Sequence, residues 1–325
     1  MKPVTKPVAG AGIALLVLLL TSVSVLAQGY PSKPVRLVVP TGPGSVSDAV
    51  TRQVAQSLTN HFKQPFVVEN RVGANGIIGA EAVAKSPGDG YTFLMGNFST
   101  HAANPALYSK LPYDPVRDFT PISQTGRIPY VLFVNLNVKA TDFAGLVALA
   151  KAQPGKLTYA TGSAPSIVGM EAIKRAAGID VLQVPYKTVP QAVPDVIAGQ
   201  VDMIVADLGS TGAHLRSGKL RPIATVAIAR TPLLPDVPSV GELGIGGLDV
   251  VGWLGWYASA GTPKEVVDRM QDALRQVLAP KDVREKGALM GVEVITTAPA
   301  ELAAFTAEQL ATWGRLIREA GIKAE

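Results

Sequence analysis

Val35-Arg-Leu-Val-Val39, followed by Pro40-Thr-Gly-Pro-Gly-Ser-Val-Ser-Asp48, is the stretch from which the fold is read. The opening run is apolar and β-branched around one arginine, and reads as a short strand. The next nine residues are dominated by turn formers. Val46, Val50, Val54, Leu58 and Phe62 then recur every four residues and draw one apolar stripe along a helix. Ser45 and Asp48 have capping-box spacing at its start. Strand, Gly-containing turn and helix in that order open a βαβ unit, which builds a parallel sheet.

The alternation continues outward. Residues 66–69 read as a strand, 73–79 as a Gly-rich loop, 78–84 as a short helix, and 91–95 as a strand opening into Gly96-Asn-Phe-Ser-Thr-His101. At Ile128 the pattern restarts. Strands are predicted over 130–134, 157–160, 181–186, 201–206 and 221–228, and helices over 142–152 and 167–177. Gly178 suits the left-handed position after the second of these helices, and Thr188 with Gln191 reads as another capping box. Gly252-Trp-Leu-Gly-Trp-Tyr257 changes the character again. Amphipathic helices follow over 266–278 and 302–320, the first opened by Thr262-Pro-Lys-Glu. The expectation is an α/β fold of two lobes, each a mainly parallel sheet flanked by helices. Residues 28–127 plus 252–325 form the first lobe and 128–251 the second, with hinges near 127 and 252.

The bulk numbers agree. In 325 residues, 47% are hydrophobic and 17% charged, enough apolar material for two cores and far from a disordered composition. Lys2 and Lys6, an uncharged apolar run over 8–26, and Val25-Leu26-Ala27 read as a signal peptide over residues 1–27, with the mature chain starting at Gln28. No cysteine is present to carry a lipid anchor, and no second apolar stretch is long enough to span a membrane. The expectation is a soluble protein outside the cytoplasm. The net charge of +5 falls to +3 without Lys2 and Lys6, and the basic residues are dispersed singly, so a nucleic-acid partner is not expected.

Three turns, 41–48, 96–101 and 161–166, combine Gly, Ser and Thr between a strand and a helix. In open parallel sheets ligands bind beyond the carboxyl ends of the strands. Free amides at helix N-termini attract anions there, and Gly lets a ligand approach the backbone. The same Ser and Thr also fit ordinary helix caps, and one residue can do both. None of the three turns contains Lys or Arg, so they would hold an anion by amides and hydroxyls. Gly162→Val would then block the ligand and spare the fold, provided φ at Gly162 is negative.

Catalytic hardware is sparse. Of three histidines, His61 lies on a polar helix face, His214 on a surface helix, and His101 where a cleft would be lined. The motifs Gly-x-Ser-x-Gly, His-Glu-x-x-His and Gly-x-x-x-x-Gly-Lys are missing from the sequence. Gly42-Pro-Gly44-Ser-Val-Ser47 matches only half of a dinucleotide fingerprint, with Ser47 in place of the third Gly. Asp195, Asp202 and Asp207 are spaced too irregularly for a metal loop. Asp195 reads as helix surface and Asp207 as a strand-end residue at the cleft. No cofactor, no metal and no enzymatic activity are expected.

At these same turns the sequence resembles the tripartite tricarboxylate transporter substrate-binding proteins, or Bug receptors. The motifs run in order along the mature chain: the 39–48 loop, Val68-Glu-Asn-Arg71, Gly73 to Gly79, Gly88-Asp-Gly-Tyr91 and Asn97 to Tyr108. Val184-Pro-Tyr-Lys187, Gly199-Gln-Val-Asp202, Leu234-Pro-Asp-Val-Pro238, Gly252-Trp253 and Gly261-Thr-Pro263 complete them. The resemblance implies a two-lobed periplasmic-binding-protein fold with a small organic carboxylate held in the cleft between lobes, for delivery to inner-membrane transporter subunits. Mapped by motif, first-lobe contacts come from Pro43, Gly44, Ser45, Ser47 and Asp48 with Asn97, Ser99 and Thr100. Second-lobe contacts come from Gly162, Ser163, Ala164 and Ser166, with Asp207. Three positions depart from the family pattern: Thr41 stands where Phe or Tyr is usual, Ser45 replaces the second Gly of a pair, and Ile167 stands where many members carry His. A periplasmic monomer is expected. A ligand-sensing receptor for a signalling partner and a secreted α/β enzyme are the alternative readings.

Overall fold

The computed structural model describes residues 29–322; the expected leader, 1–27, lies outside them. In chain order the first part comprises β1 (Val35–Val39), α1 (Val46–Phe62), β2 (Phe66–Asn70), α2 (Ile77–Ala84), β3 (Thr92–Asn97), a π-type turn (Ser99–Ala103), the short α3 (Asn104–Leu107) and β4 (Phe119–Val134). The middle comprises α4 (Phe143–Ala152), β5 (Thr158–Thr161), α5 (Ala164–Ala177), β6 (Leu182–Pro185), α6 (Val189–Ala198), β7 (Met203–Asp207), α7 (Leu208–Arg216) and β8 (Arg221–Thr225). The last part comprises β9 (Val251–Ser259), α8 (Lys264–Leu278), α9 (Lys281–Leu289), β10 (Glu293–Val294) and α10 (Pro299–Glu319).

β1 lies between β2 and β3, all parallel, as the opening alternation predicts. β9 then adds to β3 and β4 to β9, both antiparallel. β4 does not stop there. Its residues 130–134 run on into the second sheet, antiparallel to both β7 and β8, and the parallel strands β7, β5 and β6 complete that sheet. The two lobes are therefore mixed sheets sharing one strand. Only 130–134 of β4 is legible as a strand in the sequence. The upper part carries Pro121, Gly126 and Pro129, which break the apolar pattern, and two bulges opposite β9 absorb the irregularity.

Glycines make the β3–β9 seam possible. Gly96 and Gly255 are paired across it. A Cβ on Gly96 would sit 2.7 Å from the Tyr257 ring and 2.9 Å from that of His101, and one on Gly255 would sit 2.8 Å from Tyr257. The space goes to a stack: His101 lies on Tyr257 with centroids 3.9 Å apart and planes at 17°, against Phe119 at 4.8 Å. His101 is fully buried, so it belongs to the core and does not line the cleft. The backbone continues past β3 in a π-type turn, which rotates the imidazole inward. His61 is exposed as expected, and His214 is half-buried. At Thr188 the expected capping box is missing, because its side chain makes no cap hydrogen bond.

α10 begins on the first lobe, where Trp313 is fully buried against Phe98 at 5.0 Å. It ends on the second, where Glu319 pairs with Arg175 of α5 at 2.9 Å and Arg315 donates to Gly247 O at 2.7 Å.

Burial pulls the His101 pKa down from 6.5 to about 3. Between those values the unfolded chain binds a proton that the folded chain refuses, so stability rises with pH across that window. Lowering the pH from 7 to 5 should cost about 2 kcal/mol through this residue alone. His101→Phe keeps an aromatic on Tyr257 and should flatten the pH dependence of urea unfolding between those values. A wild-type slope in the variant would refute this account.

Candidate ligand-binding cleft

β1 and β3 run parallel, Val38 opposite Leu94, so the turns after them emerge at the same edge of the sheet. A Cβ on Gly76 would meet Thr100 Cγ2 at 2.9 Å and Pro40 Cβ at 3.1 Å, which shows how closely three turns converge at this edge. Ser45 caps α1 by accepting from Asp48 N at 3.2 Å, and its hydroxyl lies 2.7 Å from that of Thr41. Asp48 is almost fully buried. It accepts from Gly44 N at 2.9 Å, from Asn70 Nδ2 at 2.8 Å and from Arg52 Nε at 3.0 Å. Burial pushes its carboxyl up, but these bonds, Arg52's first, outweigh it and hold the group below the usual carboxylate range.

Most donors of the 41–48 turn are thus committed to the turn itself. The N–H groups of Val46 and Ser47, in the first turn of α1, find no acceptor among the described residues and remain for a ligand. Pro43 and Gly44 are exposed, and the Ser47 side chain is buried. In the neighbouring turn, Asn97 N donates to Thr100 Oγ1 and Thr100 N to Asn97 Oδ1, each at 3.1 Å. His101 Nδ1 sits 2.9 Å from the same Thr100 hydroxyl and anchors it from behind. Ser99 is half-buried between them.

On the second lobe, Tyr130 and Asp207 are directly opposite on β4 and β7. Ser163, just past the end of β5, and Asp207 both lie near the Tyr130 phenol. Ser163 caps α5, accepting from Ser166 N at 3.3 Å, with the two hydroxyls 2.9 Å apart. Asp207 caps α7, accepting from Ser210 N at 2.8 Å and Ser210 Oγ at 2.9 Å. Ala164, in the first turn of α5, is half-buried. Burial raises the Tyr130 phenol well above its ordinary value and the Asp207 carboxylate adds to this, while the Ser163 side chain offsets it in part. At neutral pH Tyr130 is a hydrogen-bond donor in the same row as Ser163 and Asp207. The sequence reading missed it, because Tyr130 opens an apolar strand run and reads as core. The signal present was its position: first residue after Pro129, at the crossing between lobes.

The two rims touch. A Cβ on Gly209 would lie 2.7 Å from Val46 Cγ2, and one on Gly291 2.5 Å from Gly209 N. The α1 turn and the α7 turn are thereby brought together across the cleft, while 97–100 and 163–166 stay with their own sheets. Three helix N-termini, those of α1, α5 and α7, line the two facing edges. Their partial positive charge suits an anion.

Gly162 corrects an expectation. A Cβ there would lie 2.4 Å from both Thr188 C and Val189 N, backbone atoms at the start of α6. Its lack of a side chain serves packing of α6 against β5, so Gly162→Val would damage the fold and says nothing about a ligand. Even Gly162→Ala should lower stability by about 1–3 kcal/mol in denaturant melts. An unchanged midpoint would show that the α6 start gives way freely.

The chain was compared with known proteins. Residues 50–322 match the family model described as tripartite tricarboxylate transporter family receptor. Protein BugT of Bordetella pertussis is 32% identical over 302 residues, covering 92% of this chain and 93% of BugT. A solved structure titled R. palustris Rpa4515 with adipate superposes with a TM-score of 0.77 at 31% identity, covering 91% of this chain and all of that one. MatC from Rhodopseudomonas palustris, solved with bound malate, gives a TM-score of 0.71 at 30% identity over 89% of this chain and all of that one. With its two-lobed fold and its edge of helix N-termini, this chain belongs to the tripartite tricarboxylate transporter receptor family.

Proposed function

We propose that the protein is an extracytoplasmic receptor that captures a small organic carboxylate between its lobes and delivers it, as a monomer in the periplasm, to a tripartite tricarboxylate-type membrane transporter. The observation that carries this reading is the set of α1 amides at Val46 and Ser47, left free at the cleft by a turn that satisfies its other polar groups internally. Adipate and malate in the related structures are small carboxylates of the class such amides would hold. Among the described residues no helix is long and apolar enough to cross a membrane.

In this reading the first lobe is 28–127 plus 252–325 and the second 128–251. The crossings of β4 and the start of β9 act as hinges, and the free cleft edges close on the ligand. The ligand-binding set is Val46 and Ser47 amides with Pro43, Gly44, Ser45, Asn97, Ser99 and Thr100 on one side, and Gly162, Ser163, Ala164, Ser166, Asp207 and Tyr130 on the other. Asp48 shapes the turn. A carboxylate accepting a few charge-assisted bonds, each worth about 1.5–3 kcal/mol, reaches micromolar affinity, about −8 kcal/mol, after ordering costs.

Two outcomes test it. Amides and hydroxyls do not titrate near neutrality, and His101 titrates far below it. Titration calorimetry with adipate and malate should therefore give affinities that hardly change between pH 6 and 8. Val46→Pro removes one free amide at a position where proline fits a helix, and Ser45, at φ −66° and ψ 160°, already has the backbone a residue before proline needs. The variant should fold and bind about tenfold or more weakly. Full affinity in a folded Val46→Pro protein, or no small carboxylate bound by the wild type, would overturn the reading.

A further inference from the structure

A cavity of about 170 Å³ lies at the crossing between the lobes, on the face of β4 away from the rim contact. The rim residues sit on one side of that strand: Val46 joins the core that Ile128 packs against, and Leu208 the core of Val131 and Phe133. Arg127 is on the other side, opposite Trp253 of β9 and beside Phe305 of α10. The first lobe lines the cavity with Arg127, Glu293 and Phe305, and the second with Thr225, Arg230 and Asp249. Arg230 is already held by Glu242 at 2.9 Å. Arg127 and Asp249 are not held in this way. Among the described residues neither makes an ion pair; Asp249 accepts from Ile228 N at 3.3 Å, and the Arg127 guanidinium stands 5.9 Å from the centre of the Phe305 ring. Burial pushes the Asp249 carboxyl up, the Ile228 amide and Arg127 offset this in part, and Glu308 of α10 adds a smaller push. A half-buried carboxylate without a paired cation is unfavourable, and the cation acting on this one belongs to the other lobe.

We infer that Arg127 and Asp249 are a hinge latch: they come together as the lobes part, and their ion pair holds the empty receptor open. This rests on the reading that the lobes rotate about the crossings of β4 and β9. With the rims in contact, as here, the cavity keeps the two charges apart. The rims and the cavity lie on opposite faces of the crossing strand, so a rotation that parts Val46 from Gly209 narrows the cavity and carries Asp249 toward Arg127. Glu293 is opposite Arg127 in the β4–β10 pair and travels with it, so its attraction for Arg127 is the same in both states. Glu308 belongs to the first lobe too and opposes the approach, but its effect on Asp249 is smaller than that of Arg127. A ligand that closes the cleft has to separate the pair, and its affinity falls by the factor by which the pair favours the open form. For a partly exposed pair that factor is roughly twofold to fivefold.

The chain has no cysteine, so Gln56→Cys on α1 and Gln191→Cys on α6, both exposed, give one labelled pair across the lobes. The test is double electron–electron resonance on the spin-labelled exported protein, dialysed free of small molecules. A short distance is expected for the arrangement with touching rims and a longer one for the open form. Asp249→Asn and Arg127→Gln should each raise the short-to-long ratio roughly twofold to fivefold. The double variant should raise it no further than either alone, because the second change has no pair left to break. About 1 M sodium chloride should move the wild-type ratio the same way, and this arm decides if a variant does not fold. A ratio that stays put or falls in the variants and in salt, or single effects that add in full, overturns the latch and leaves the hinge reading standing. One distance common to the wild type and every variant overturns the rotation and the latch with it.

Discussion

One strand serves two sheets, and the rest of the molecule is arranged around that. β4 pairs with β9 over its first part and with β7 and β8 over its last. It is paired with β9 up to Pro129 and with β7 from Tyr130, so its partners change between these two residues. The carboxyl edges of both sheets meet at the same place, so a cleft forms over the crossing without further design. The C-terminal helix limits how that cleft can move. α10 buries Trp313 in the first lobe and pins Glu319 to Arg175 in the second. The exposed pair at its end contributes little by itself, while the buried tryptophan holds the helix to the first lobe.

Rigidity at the first-lobe edge comes from the core beneath it. The Gly96–Gly255 pair leaves space for the His101–Tyr257 stack. His101 fixes the Thr100 hydroxyl, and Thr100 fixes Asn97 through two reciprocal bonds. Tyr257 in turn shares a hydrogen bond with Thr306 of α10 at 2.7 Å. A turn held this way does not have to be ordered by its ligand, which removes part of the entropic cost of binding. The chain of contacts runs from two missing Cβ atoms to a preorganised site.

Much of this was legible in the sequence, and the gaps have identifiable causes. The opening strand, turn and helix could be read because α1 carries a strict apolar stripe and a true cap at Ser45. The restart at Ile128 was visible because 130–134 is uniformly apolar. The upper half of β4 was hidden by prolines that sit at bulges, and β9 by glycines that serve neighbouring rings. Those signals mark close packing, which a single sequence shows only as irregularity. The positions of the caps were readable, but not which donors the caps consume. Gly44 N–H looked available for a ligand and is taken by Asp48. Gly162 looked free of any packing duty, and its missing side chain makes room for the start of α6. Tyr130 was lost because burial and function make the same demand on a strand's first residue.

Two departures from the family pattern turn out to be one feature. Thr41 stands where an aromatic is usual and Ser45 where a glycine is usual, and their hydroxyls are 2.7 Å apart. A threonine at 41 gives up the bulk of a ring and supplies a hydroxyl to Ser45 instead. A serine at 45 needs no left-handed backbone, since φ there is −66°, and it supplies the cap that a glycine cannot make with a side chain. With Thr41 bonded to Ser45, and Ser45 to the Asp48 amide, the turn closes on itself, and the Val46 and Ser47 amides are the donors it leaves over. The donors left on this side are therefore those that the turn's own hydroxyls do not use. Restoring the aromatic at 41 alone would unhook Ser45 and reclaim the space in one step, so the two positions constrain each other.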